Sequence, residues 1–386
     1  MRDKGERYIM QKIVRTTYSP DDVKVLLKDV SGYMQAIDTE DREKMIQSGV
    51  HYSEMLPLEY KPTDEYIKIY NDALEEMSDA TALSVASLCR KLNERHGGNR
   101  FVIISLARAG TPIGILVRRY MKAYYSLDCP HFTISIIRGK GIDVNAMDCI
   151  RAECGDIGVK HFQFLDGWTG KGAISNTLTK AVDEMKQSYA GWDELSDDLA
   201  VLADPANICD TAGSRADFLI PSACLNSTVS GLMSRTILRD DLVNVAAGDF
   251  HGAVYFEDLE SEDRSIEFID TVTKKFSRLV DSHIDFLYDM TNNHRNEFSK
   301  TGMQVVEQIA KDFGIDDVNK IKPGVGETTR VLLRRMPHCV LVDTVNYCDN
   351  IEHIMQLCEE KGIPVYEYDI GNYRTCGIIK DMSADV

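Results

Sequence analysis

Three short segments carry the residue types that could do chemistry. In FLDGWTGKGAI an apolar run leads to Asp166 and then to Gly167, Trp168, Thr169, Gly170, Lys171 and Gly172. Glycines let backbone N–H groups wrap an anion, and Thr169 and Lys171 add side-chain donors. A carboxylate in such a nest repels phosphate, so Asp166 suits the hydroxyls of a sugar, or a metal ion that bridges phosphates. The spacing G-x-x-x-x-G-K-[ST] of a nucleoside-triphosphate loop is absent, which points to a phosphorylated sugar. In SLARAGTPIG, Arg108, Ala109, Gly110 and Thr111 precede a helix that starts near Pro112. Free amides and the helix dipole favour negative charge there, and Arg108 adds a forked donor. In IIRGKGID, Arg138 and Lys140 alternate with Gly139 and Gly141, the mixture of hinge and cation that a loop closing over a charged substrate needs. Taken alone, the SLARAG segment reads equally as a tight turn with no ligand and RGKG reads more simply as a solvated turn, so the Asp166–Gly172 segment is the informative one. Their combined weight depends on whether the fold gathers them.

The surrounding pattern says that it does. Apolar runs at Phe101–Ser105, Phe132–Ile137, Phe162–Leu165 and Leu199–Ala203 alternate with helical periodicity, the βαβ signature of a parallel sheet covered on both faces. Ligands of such sheets sit beyond the carboxyl ends of the strands. Upstream, Tyr66, Ile69, Tyr70, Ala73, Leu74 and Met77 predict a helix from Asp64, and a second is expected over about Ala80 to Asn93, ended by Gly97 and Gly98. Downstream, the stripe from Ile266 to Leu287 predicts one long helix over Asp263–Asp289. The polar stretch Thr291–Lys300 reads as a linker. Beyond it, helices near Met303–Phe313, Glu327–Arg335 and Ile351–Lys361 and strands at Cys339–Val342 and Val365–Tyr368 predict a small α/β module.

A chain of 386 residues is comfortable for two domains. Its formal charge of −17 argues against broad adhesion to nucleic acid or anionic membranes. No apolar run approaches a membrane span and the N-terminus lacks a signal-peptide pattern, so the cytoplasm is expected. Ten scattered cysteines match no zinc or redox spacing. After the fourth strand, Asp204 is placed to touch an acceptor, and Ser222, Cys224, Asn226, Ser227, Ser230 and Arg235 crowd a small-residue stretch suited to an acceptor pocket. Cys224 as a nucleophile would need a histidine, and His251 is nearest in sequence. No cysteine has a protease-type local context, and buried cysteine is a common small core residue. His131 and His161, each before a strand, read as structural.

At these loops the sequence resembles the type I phosphoribosyltransferases. The resemblance implies that Asp166–Gly172 holds a ribose 5-phosphate, that Arg108–Thr111 holds pyrophosphate, and that Arg138 and Lys140 belong to a flexible catalytic loop. Here a single acid, Asp166 after Leu165, replaces the family's adjacent pair, and the turn is one residue shorter. Over most of residues 40–260, the strings HYSEMLPLEY, SLARAGTPIG, FLDGWTGKGAI and DFLIPSACLNSTVSGLMSRTIL resemble a phosphoribosyltransferase-like family of bacterial tellurite-resistance and stress clusters, whose members are often labelled cysteine protease StiP. The C-terminal GVGETTRVLLRR resembles the helix-opening motif of the L7Ae/Pelota RNA-binding group. Gly324, Glu327 and Arg330 match in kind, Gly326 replaces an Asn, and Arg330, Arg334 and Arg335 form a basic helix face.

The expected architecture is therefore a type I phosphoribosyltransferase-like parallel sheet with helices on both faces over residues 1–290 (core about 98–260, connecting helix about 263–290), with an L7Ae/Pelota-like domain over 300–386. The implied activity is phosphoribosyl transfer to or from a nucleotide-like metabolite, using phosphoribosyl pyrophosphate with Mg2+ at Asp166, in a stress response. The implied partners are that substrate, a structured RNA and a possible second copy of the chain, without a membrane. The alternatives are an RNA-binding regulator with a ligand-sensing phosphoribosyl pocket and a cysteine protease.

Overall fold

The computed structural model describes residues 11–156, 158, 161–293, 301–343 and 351–380. Six strands, β1 (Lys24–Val25), β2 (Val102–Leu106), β3 (His131–Ile134), β4 (Phe162–Trp168), β5 (Leu199–Ala203) and β6 (Ala212–Ser214), form one sheet in the order β1-β3-β2-β4-β5-β6. All five neighbouring pairs are parallel. Every residue of β2, β3 and β5 is buried, so this sheet must be covered on both sides. Ile103 packs with α1 (Asp64–Arg95), α2 (Gly110–Tyr125), α5 (Ser265–Lys275) and α6 (Asp281–Asn293). Its neighbours Val102, Ile104 and Leu106 point the other way, toward α3 (Val144–Asp156) and α4 (Ala173–Ser188). A mixed α/β architecture with a parallel sheet and helices on both faces is thus established.

Two helix boundaries differ from the sequence reading. The two expected helices over 64–93 are one helix, α1, capped by Thr63 and ended where Gly97 and Gly98 take positive φ. Ser78 causes no break, because its hydroxyl donates back to the Leu74 carbonyl within the helix. The expected single helix over 263–289 is split into α5, a tight turn at Phe276–Arg278, and α6. Leu279 leaves helical geometry at ψ 142° and packs against the core. Of the expected linker, Thr291–Asn293 complete α6, and residues 294–300 lie outside the described ones.

A second sheet contains β7 (Ile321–Pro323), β8 (Pro337–Val342), β9 (Val365–Glu367) and β10 (Thr375–Ile379) in the order β7-β10-β8-β9. Only β8 and β9 run parallel. Helices α7 (Gly302–Asp312), α8 (Val325–Arg334) and α9 (Glu352–Lys361) accompany it. This C-terminal module sits on the carboxyl ends of the first sheet's strands. Gly302 N donates to Ala206 O (2.9 Å), Tyr373 Oη to Gly170 O (2.5 Å), and Asn372 Nδ2 to Pro205 O and Arg215 O (3.0 Å each). Among the described residues, no helix is long and apolar enough to cross a membrane.

The packing of α2 on the sheet leaves no room at one position. A Cβ on Gly114 would fall on Ser105 Oγ and His131 Nε2. These two atoms hydrogen-bond each other (2.8 Å), and His131 Nδ1 donates to the Asp22 carbonyl (2.9 Å), which fixes the tautomer of a buried ring. Gly114→Ala is expected to lower unfolding stability by about 1–3 kcal/mol in urea titrations, the usual cost of overpacking. An unchanged midpoint would show that α2 is not seated as described.

Candidate functional site

The strand-end segments meet. A Cβ on Gly110 would lie 2.5 Å from Leu165 O and 3.2 Å from the Asp166 Cα, so the Arg108–Thr111 turn rests directly on the end of β4. Gly167 in turn faces Ala109 O, 3.4 Å from the place of a Cβ. Their side chains are directed unevenly. Thr111 is fully buried and its hydroxyl accepts from Thr133 Oγ1 (3.0 Å). Arg108 donates to Met233 O (2.8 Å) and pairs with Glu59 (3.2 Å).

Asp166, half-buried at the end of β4, accepts from the Gly167 amide (2.7 Å). Burial pushes its carboxyl up to about 7, against the pull of that amide and of the Arg330 charge. Thr169 donates to Asp204, which also receives the Ile208 and Cys209 amides (2.9 Å each) and Arg215, so Asp204 is committed to protein partners. Lys171 turns to the C-terminal module and donates to Val318 O and Ile321 O. Burial, then the charges of Lys322 and Arg138, push its amine down to about 8. Gly172 opens α4 at φ 87°. The RGKG segment leans on the N-terminal region, with Arg138 over the Tyr52 ring (5.4 Å) and Lys140 paired with Glu54 (2.9 Å). No group of three or more His, Cys, Asp or Glu side chains able to hold a metal ion occurs among the described residues.

The pocket at the junction is lined by Trp168 at the end of β4 and Thr169 just after it, Asp217 and Ala223 from the loops beyond β6, and Gly324, Gly326 and Glu327 from α8 and its approach. The residues expected to meet RNA therefore face inward. Asp217 caps α8: its carboxylate accepts from Val325 N (2.9 and 3.1 Å) and from Arg374 N (2.8 Å), and burial still pushes it up to about 6. Gly324 takes φ 102°, and Gly326 comes so close that a Cβ would sit 3.2 Å from that of Ala223. Arg330 lies over the Trp168 ring (4.5 Å), pairs with Glu327 (3.1 Å) and donates to Ala223 O (3.2 Å). Arg334 donates to Cys224 O (2.7 Å) and to Asn226.

In the stretch after β6, Ser222 is buried, Ser230 donates to Asn226 O (2.6 Å), Ser227 reaches Glu59 (3.5 Å), and Arg235 is exposed. Cys224 is buried, which pushes its thiol up to about 12 despite the nearby charges of Arg334 and Arg330. His251 is not its partner. The ring of His251 bonds Ser135 Oγ (2.8 Å) and its backbone amide bonds Asp143 (2.6 Å), deep behind the sheet. Among the described residues no cysteine sulfur hydrogen-bonds a histidine; Cys348 lies outside them.

Residues 16–273 match the family model described as tellurite-like stress resistance cysteine protease StiP. The cysteine protease StiP of Acinetobacter baylyi (strain ATCC 33305 / BD413 / ADP1) is 30% identical over 390 residues, spanning 99% of this chain and 98% of that one. The chain belongs to the StiP family. Residues 300–381 of this StiP-family chain match the model of the PELOTA RNA binding domain. A solved structure described as an aminotransferase from Anaerococcus prevotii covers 83% of this chain and 82% of its own at 10% identity, with a TM-score of 0.19. The expected phosphoribosyl transfer is overturned, and with it the classification as a glycosyltransferase, because both the family and the relative are named as cysteine protease. The association with tellurite stress and the Pelota-type module stand.

Asp217 and Glu59 had no signal of their own in the sequence, since each acts through residues far along the chain, Asp217 through Val325 and Glu59 through Arg108 and Ser227. The unusual titration of Asp166 can be tested. A carboxyl whose folded-state value lies above its ordinary one contributes stability at low pH that is lost as pH rises through about 7. Buried histidines such as His131, lowered to about 3 by burial, act in the opposite sense, so a difference between proteins is the useful quantity. From pH 5 to pH 8, wild type should lose more melting temperature than Asp166→Asn. Parallel pH profiles would contradict the placement of Asp166.

Proposed function

We propose that this chain is a thiol peptidase held latent by its own C-terminal module, with Cys224 as the nucleophile. The reading rests on the grip of α8 over the Cys224 segment: Arg334 holds the Cys224 carbonyl and Asn226, and Arg330 holds the carbonyl of Ala223. The thiolate is the reactive form of cysteine, and burial keeps this one protonated. Lifting α8 removes the burial and lets the thiol return toward its ordinary range. The Trp168–Thr169 segment shares the pocket wall with Ala223, and Asp166 just before it titrates near neutrality, which suits it to accept the thiol proton and return it to the leaving amine. The name of the family and of the A. baylyi relative supports the reaction class.

A second role has its own support in the match of residues 300–381 to the PELOTA RNA binding domain. In this reading RNA and the Cys224 loop compete for one face of α8, so RNA engages when the module lifts. We also retain, as a proposal about the backbone alone, the likeness of the three strand-end loops to those of type I phosphoribosyltransferases. A division into two domains near residues 290–300 is part of the same proposal.

The test is hydrolysis of an unstructured protein substrate by wild type, Cys224→Ala and Arg334→Ala. Arg334→Ala should raise turnover and alkylation of Cys224 by iodoacetamide several-fold, and Cys224→Ala should abolish turnover. Hydrolysis that survives in Cys224→Ala would assign the nucleophile elsewhere.

A further inference from the structure

The segment that carries Cys224 is anchored at its two ends by different parts of the molecule. Its near end is held by α8, through Arg330 at Ala223 O and Arg334 at Cys224 O and Asn226. Its far end is held by the surroundings of the first sheet. Ser227 O accepts from Ser230 N and Leu232 N (2.9 Å each), which closes residues 227–232 into one turn. Tyr18 Oη donates to Val229 O (3.2 Å), Gly231 N donates to Ser265 Oγ (2.8 Å), and Arg108 donates to Met233 O (2.8 Å). Tyr18, Ser265 and Arg108 all lie outside the C-terminal module. When α8 lifts, the Ala223–Asn226 end loses the grip of both arginines, and the 227–233 end keeps its anchors.

Arg108 also touches the other reactive segment. Its turn rests on the end of β4, where a Cβ on Gly110 would lie 3.2 Å from the Asp166 Cα. One guanidinium nitrogen holds Met233 O and another holds Glu59 (3.2 Å), whose second oxygen accepts from Ser227 (3.5 Å). The two side chains are nearly enclosed, at 10% and 7% exposure. Glu59 turns inward between Leu58 and Tyr60, which are 41% and 63% exposed. A buried carboxylate between exposed apolar neighbours reverses the ordinary partition, and an ion pair withdrawn from water adds little net stability. What a guanidinium fork supplies well is fixed geometry, because it holds two acceptors in one plane. The backbone it holds needs such enforcement. Leu232, next to Met233, has φ 57°, a left-handed conformation that a large side chain keeps only where its surroundings impose it.

We propose that Arg108 and Glu59 are positioning residues, which together hold the Cys224 segment in register with the Asp166 end of β4 once α8 has lifted. This rests on the peptidase reading, in which Asp166 accepts the thiol proton. The test uses full-length protein carrying Arg334→Ala, which loosens α8. Alkylation of Cys224 by iodoacetamide is followed from pH 5 to pH 9 by mass spectrometry of the Cys224 peptide. Asp166→Asn should remove the part of the rate that rises near neutrality, about tenfold or more. Arg108→Ala should remove the same part, and the two changes together should remove no more than either alone. Glu59→Gln and Arg108→Lys, which each keep part of the hydrogen bonding, should lose less. A pair that served stability alone would lower the melting temperature and leave the pH profile as it was. An unchanged profile in Arg108→Ala beside a changed one in Asp166→Asn, or effects that add, would overturn the proposal and leave the peptidase reading standing. A profile that Asp166→Asn does not alter overturns it too, since the thiol then has no register with Asp166 to keep. No alkylation of Cys224 at any pH removes the peptidase reading and the proposal together. Hydrolysis is read separately. In Arg108→Ala, kcat should fall with KM changed less than about twofold, the mark of a lost transition-state interaction. Alkylation profiles as expected, without hydrolysis by any variant, leave the register standing and remove the peptidase reading.

Discussion

One buried carboxylate ties the two sheets together. Asp217 belongs to the loop after β6, yet its oxygens accept the first amide of α8 and the Arg374 amide that precedes β10. A helix start leaves amides without partners and carries a partial positive charge, so a carboxylate there satisfies both needs. Gly324, at φ 102°, offers no side-chain cap of its own to α8. The orientation of that helix is therefore set from outside its own module. Arg330 and Arg334 then reach the Ala223–Asn226 segment, and Glu327 and Gly326 join the pocket wall.

Burial opposes ionisation of this same carboxyl, which is why it titrates at about 6 even though it accepts three backbone hydrogen bonds. The junction is thus geometrically specific without being strongly favoured electrostatically. Much of the remaining contact is polar: Lys171 on carbonyls of the 318–321 turn, Tyr373 on Gly170, and Asn372 on Pro205 and Arg215. Such contacts define a closed arrangement that water can replace group by group. That is the physical basis for treating α8 as a removable cover rather than a permanent wall.

Much of this was legible in the sequence. The apolar runs at 101–105, 132–137, 162–165 and 199–203 marked four of the six parallel strands, because a strand buried on both faces shows as an unbroken run. Lys24–Val25 and Ala212–Ser214 were missed, since two or three residues at a sheet edge leave no periodic trace. The meeting of Arg108–Thr111 with Asp166 was readable because a parallel sheet puts successive strand ends together. Side-chain direction was not. Thr111 and Thr169 look like ligand donors in a string of letters, but their hydroxyls bond Thr133 and Asp204. The arginines of α8 read as an outward basic face because helical periodicity shows that a face is polar and does not show what covers it. Chemistry was the least legible. Glycine-lined anion nests follow from backbone conformation, and many reactions use them, so the inference from nest to phosphoribosyl transfer outran the residues.

Amide hydrogen exchange at Val325 and Arg374, in wild type and Asp217→Ala, tests the coupling most directly. The account predicts that both amides are protected in wild type and exchange rapidly together in the variant, while the amides of β2 and β4 keep their protection. Unchanged protection of Val325 and Arg374 in Asp217→Ala would contradict it, because the C-terminal module would then be held in place by something other than this carboxylate.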